Sequence, residues 1–104
     1  MRLMTKRQGR TLVAAFSGEL DQHTAEQVRD ELDAILEDDG IKRIEFDLKS
    51  VTFMDSAGIG VLLGRYKKLA ARGGSMGVMN PVKSVERILR MSGVYTLVTE
   101  RSAK

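Results

Sequence analysis

The chain has no cysteine, one histidine, one proline and five aromatic residues, and each scarcity excludes something. Without cysteine there are no disulfides, no thiol catalysis and no cysteine-ligated zinc. His23 alone leaves too few soft ligands for a transition-metal site. With so few aromatics, and with bases dispersed along the chain, stacking on nucleic acid has little to work with. No run of eighteen or more apolar residues is present, so no segment spans a bilayer as a helix. The first residues, Met1 to Arg7, lack an apolar segment of signal-peptide length, which favours a cytoplasmic protein.

What is present suits one soluble domain. At 104 residues, with 42% hydrophobic and 30% charged residues, the chain can bury a single modest core. The net charge of +3 is mild but uneven. Residues 19–39 hold nine of the fourteen acids against one base, Arg29, so the excess of bases lies elsewhere. Such asymmetry suits recognition of a charged protein partner.

Changes of hydrophobic period give the order of elements. Leu3 to Lys6 and Leu12 to Phe16 flank Gln8-Gly9, a hairpin turn. A first helix carries Ala25, Val28, Leu32, Ile35 and Leu36 on one side, is capped by Asp21 or Thr24, has Thr24 and Gln27 in capping-box spacing, and stops at Gly40. Ile44 to Leu48 alternates with period two, a strand with one covered face, and Val51 to Met54 follows it. A second helix should bury Ile59, Leu62, Leu63, Tyr66, Leu69 and Ala70, leave Arg65, Lys67 and Lys68 in solvent, and end at Gly73-Gly74. Gly60 and Gly64, four apart, suggest close packing against neighbours. Met76 to Met79 is a short strand, Asn80-Pro81 starts a third helix with Val82, Val85, Ile88 and Leu89 inward, and Tyr95 to Val98 suggests a last strand. The alternation calls for an α/β fold, a mostly parallel sheet covered by helices with an antiparallel hairpin at its start.

In such sheets functional loops gather at the carboxyl ends of strands. "GELDQHT" (18–24) and "FMDSAGIG" (53–60) both fall at that kind of junction, which predicts that they are neighbours. Three readings of Ser56 stay open. It is a helix cap, worth roughly 1 kcal/mol. It is a nucleophile, with His23 and Asp21 or Asp55 supplying triad residue types, although Met54 stands where a Gly-x-Ser-x-Gly elbow has its first glycine. Or Asp55 is the cap, Ser56 keeps a free hydroxyl in the first turn, and another protein modifies it. A phosphate there would meet unpaired N–H groups and the positive end of the helix dipole. Its roughly −1.5 to −2 charges would then act on whatever docks. Arg72 to Gly77 is glycine-rich but follows a helix and lacks the Gly-Lys-Ser/Thr ending of a phosphate loop, so it is a turn.

Taken together, "GELDQHTAE", "FMDSAGIGVLLGRYK", the Gly73-Gly74 turn and "MSG" at 91–93 resemble the single-domain STAS proteins, specifically the anti-sigma-factor antagonists of the sporulation sigma-factor-F type. The resemblance runs along nearly the whole chain. It implies one STAS-type domain over residues 1–104, with four to five strands and three to four helices. It also implies a regulator rather than an enzyme, without a cofactor of its own. Its partner would be an anti-sigma factor that is also a serine kinase, with ATP and magnesium bound to the kinase. Phosphorylation of Ser56 would end the complex and a serine phosphatase would restore it. Many relatives have a second serine or a threonine after the acceptor; here Ala57 stands there. The resemblance puts Asp21, His23, Thr24, Asp55, Ser56, Ala57, Gly58 and Ile59 in the partner-binding set. A STAS module of a stress-response or other partner-switching complex is the alternative. The first helix has no second apolar stripe, which favours a monomer.

Overall fold

The computed structural model describes residues 1–98. Strands β1 (Arg2–Gln8) and β2 (Thr11–Leu20) form the antiparallel hairpin, followed by α1 (Ala25–Ile35), β3 (Arg43–Met54), α2 (Ser56–Ala70), β4 (Ser75–Met79) and α3 (Lys83–Ser92). The sheet order is β1-β2-β3-β4, with β2, β3 and β4 parallel. Adjacent parallel strands joined by right-handed crossovers place both crossover helices on one face. The burial pattern agrees. Leu12, Ala14 and Phe16 of β2 and Ile44, Phe46 and Leu48 of β3 are buried, while the residues between them are half-exposed. The Phe16 and Phe46 rings stack at 5.9 Å between centroids. Each fully buried Leu or Phe of this layer contributes about 1.5–3 kcal/mol.

On the opposite face the strands present Met4, Val13, Ala15 and Met79 among charged residues, and the Arg43 Nε donates to Glu45 Oε2 at 2.6 Å. The helices therefore cover one face of the sheet and leave the other wet.

β3 is one twelve-residue strand rather than two shorter runs. Its pairing with β2 shifts register twice, between Ala15 and Ser17 and between Gly18 and Glu19, each time with an extra residue on β3. These bulges explain why the buried positions Leu48, Val51 and Met54 recur at intervals of three, where a regular strand gives two. β4 ends at Met79, opposite Asp47, so the last part of β3 has no strand on that side. α3 packs against β3 instead, closing the core with Val85 and Leu89.

Tyr95 to Val98 is not a strand. Gly93, at φ 83°, turns the chain out of α3, and Val94–Thr96 continues as a short 3-10 turn. Thr96 Oγ1 donates to the Gly93 carbonyl at 2.7 Å, and the Arg90 guanidinium lies 5.6 Å from the Tyr95 ring centroid. These local bonds give the segment an alternative to a sheet edge. The described sheet thus has four strands and three α-helices.

Arg65 is the main departure from expectation. The buried stripe of α2 is Gly58, Ile59, Val61, Leu62, Arg65 and Leu69; Leu63 and Tyr66 are half-buried and Ala70 is exposed. The stripe is rotated from the one read in the sequence, and it takes a guanidinium inward because α1 offers a carboxylate. Arg65 is 5% exposed, with its Nε 3.0 Å from Asp33 Oδ1. The pair is close without being aligned as a hydrogen bond, and Arg65 Nη1 has no hydrogen-bond partner among the described residues. Burial pulls the guanidinium below its ordinary value while Asp33 opposes the shift. Removing one partner of such a pair costs more than removing both. Asp33→Ala should lose about 2 kcal/mol, less than a fully buried pair because Asp33 is partly wet. Adding Arg65→Leu should recover most of that loss in urea unfolding.

Arg72 also does more than mark a turn. Its guanidinium donates to the carbonyls of Leu36 (2.6 Å), Asp38 (3.1 Å) and Ile41 (3.2 Å). Helix α1 stops at Ile35, before Gly40, and these carbonyls lie in the connection that follows. Beside it, Gly74 lies so close to the Lys42 carbonyl that no side chain fits.

Candidate functional site

The parallel register sets Leu20 beside Met54, so the loops leaving β2 and β3 emerge side by side. The neighbourhood expected of the two motifs is real, and Asp55 joins them. Asp55 is extended (φ −120°, ψ −168°) and caps α2, its Oδ1 accepting from Ala57 N at 2.9 Å and Gly58 N at 3.2 Å. Its Oδ2 accepts from Gln22 N at 3.3 Å across the junction. One carboxylate satisfies helix donors and holds the neighbouring loop.

That loop is built on Asp21. Its Oδ1 accepts from His23 N at 2.9 Å and Thr24 N at 3.2 Å, and its carbonyl accepts from Ala25 N at 2.8 Å. The capping box does not form: Thr24 Oγ1 accepts from Asp21 N at 3.1 Å and donates to the Glu19 carbonyl at 3.0 Å, and Gln27 turns to Glu31 instead. A side chain that bonds its own preceding turn cannot also cap the helix.

Ser56 opens α2 exposed to solvent, and its hydroxyl makes no hydrogen bond among the described residues. Ala57 is half-buried. Gly58 and Ile59 lie beneath the surface, and the space saved at Gly58 is turned inward against Leu20. Gly60 and Gly64 behave oppositely: a Cβ at either would meet open space, so neither serves close packing. His23 is exposed, and no hydrogen bond joins its ring to Ser56 or to a carboxylate among the described residues. With both Asp55 oxygens bonded to backbone N–H groups, the triad does not assemble. No group of three or more metal-ligating side chains occurs among the described residues, and no described helix is long and apolar enough to cross a membrane.

Two residues near the junction escaped the sequence reading. Phe53 is 49% exposed although it ends an apolar run, because the second bulge turns it outward while Met54 goes in. Met91 of α3 is 79% exposed. The signal for Phe53 is the break in alternation after Leu48; Met91 stands in the "MSG" motif, which says nothing of its exposure.

The sequence model of one family, the STAS domain, matches residues 2–103. The chain belongs to the STAS-domain family. It is 41% identical over 87 residues to the anti-sigma F factor antagonist of Paenibacillus polymyxa, a match spanning 84% of this chain and 74% of that one. Among solved structures, the STAS fold here is similar to the anti-sigma factor antagonist SpoIIAA in its unphosphorylated form (TM-score 0.84, 28% identity, 97% of this chain and 89% of that one). It is also similar to the Bacillus cell fate determinant SpoIIAA in the phosphorylated form (TM-score 0.76, 26% identity, 97% and 92%). The STAS relatives named here are antagonists, regulatory binding proteins rather than enzymes.

Proposed function

We propose that this STAS protein is an anti-sigma-factor antagonist whose hold on its anti-sigma factor is switched by phosphorylation of Ser56. The observation that carries the proposal is the division of labour at the start of α2. Asp55 takes both cap bonds, and Ser56 is left with a free hydroxyl at the positive end of the helix dipole, which favours an anion. The names of the relatives supply the partner class, and a phosphorylated form of one solved relative supports a phosphate as the switch.

On this reading the anti-sigma factor is also the serine kinase and brings ATP, magnesium and the catalytic base, so Ser56 is a nucleophile only when docked. A serine phosphatase returns the protein to its active form, in the cytoplasm and as a monomer. Asp21, His23, Thr24, Asp55, Ser56 and Ala57 form the outer contact set, with Gly58 and Ile59 supporting it from beneath. The 41% identity to an anti-sigma F factor antagonist favours a sporulation role over a stress-response one.

The test is to incubate the protein with ATP, magnesium and its cognate anti-sigma factor, then map the phosphate by mass spectrometry. A single phosphate on Ser56 is expected. An active kinase that leaves Ser56 unmodified would overturn the proposal.

A further inference from the structure

The junction does not end at Ser56. β2 and the Asp21 loop occupy one side of the end of β3; α3 occupies the other, where β4 has already stopped. Between β3 and α3 runs a groove lined by Phe53, Met54, Ile88 and Met91, with Ser84 and Arg87 at its edge. Phe53 and Met91 are two of the five large apolar side chains exposed among the described residues. Lys83, Arg87 and Arg90 are exposed along the same helix, and among the described residues only Arg90 of the three has an acidic partner, Glu86 at 2.8 Å. On the other side of Ser56 the exposed charged residues of α1 are mostly acidic, Glu26, Asp30 and Glu31 against Arg29. The surface around the serine is therefore polarised, acid toward α1 and base with an apolar floor toward α3.

We infer that the β3–α3 groove docks an acidic segment with an apolar anchor, belonging to the same anti-sigma factor that reaches Ser56. The inference rests on the reading of Ser56 given above. Three features support it. An apolar patch rimmed by charge marks an interaction site. Exposed bases on the rim select an acidic partner and steer its approach. Phe53 lies three residues from Ser56 on the same run of chain, so one partner spans both. The acid-to-base gradient also fixes the direction in which that partner lies across the serine.

The test compares binding of the cognate anti-sigma factor to the wild type, to Arg87→Glu/Met91→Ser, and to Lys6→Glu. Both altered side chains in the double variant are exposed, so folding is preserved. Lys6→Glu makes the same charge change on the wet face of the sheet. The double variant should bind at least tenfold more weakly, with the KM for Ser56 phosphorylation raised by a similar factor and kcat unchanged, while Lys6→Glu matches the wild type. Binding by the double variant within twofold of the wild type would overturn the groove and leave the Ser56 reading standing. So would sedimentation of the protein alone, should it show a dimer that the double variant abolishes, because the groove would then serve a second copy. Failure of the wild type to bind at all would overturn both.

Discussion

Ser56→Asp binds the anti-sigma factor at least 100-fold more weakly than the unmodified protein, yet is folded and no less stable: that pair of results is expected together. The stability half follows from position. Ser56 begins α2, where a negative side chain interacts favourably with the helix dipole by about 0.3–1 kcal/mol. The affinity half follows from exposure. Because Asp55 already fills the cap, a carboxylate at residue 56 projects outward and must be desolvated against the partner. A loss of about 2.7 kcal/mol, the equivalent of 100-fold, is modest for an unpaired charge buried at an interface. Ser56→Ala removes the acceptor without the charge, so it should bind normally and resist release by ATP. Titration calorimetry and urea unfolding measure the two halves separately. Equal affinity for Ser56→Asp would sink the charge switch, and a large loss of stability would show that Ser56 has a structural duty the geometry does not assign it.

The second large effect is expected at Gly58. A Cβ there would come within 2.5 Å of the Leu20 carbonyl oxygen and 2.7 Å of Met54 Cγ. Met54 can shift at some cost; the carbonyl belongs to a strand end paired beside β3 and cannot. Gly58→Ala should therefore cost about 3 kcal/mol, the upper part of the range for overpacking. That corresponds to a fall in Tm of about 12–24 °C for a domain of this size. Two residues later the same substitution should change sign. Gly60→Ala meets open space in a helix interior and should stabilise by about 0.5–1 kcal/mol. Thermal unfolding of the two variants side by side checks both, and equal effects would mean that Gly58 is not wedged against β2.

These two glycines show where a sequence is legible and where it is not. The order of strands and helices follows from hydrophobic period, and the adjacency of the Asp21 and Asp55 loops follows from parallel strands sharing a carboxyl edge. The division between Asp55 and Ser56 follows too, because a helix start needs one cap. The four-residue spacing of Gly60 and Gly64 suggests close packing, yet the close approach is at Gly58. Only the rotation of α2 decides that Gly58 faces Leu20 and that Gly60 faces solvent. The same rotation brings Arg65 inward to Asp33, a pairing between two helices that periodicity within either one cannot reveal. The capping box failed for a related reason: Thr24 had a second set of partners in Glu19 and Asp21, outside the four-residue pattern. The missing last strand lost to bonds within its own turn.

The reach of Arg72 has a consequence for how the molecule breathes. Carbonyls of residues 36, 38 and 41 all accept from one guanidinium at the end of α2, and the Gly74 N–H bonds back to the Leu69 carbonyl at 2.6 Å. Neither the stretch after α1 nor the turn after α2 can open without freeing polar groups of the other. The two form a single cooperative unit of local unfolding. It lies at the opposite end of β3 from Ser56, so the protein can loosen there while the surface it offers a partner keeps its shape.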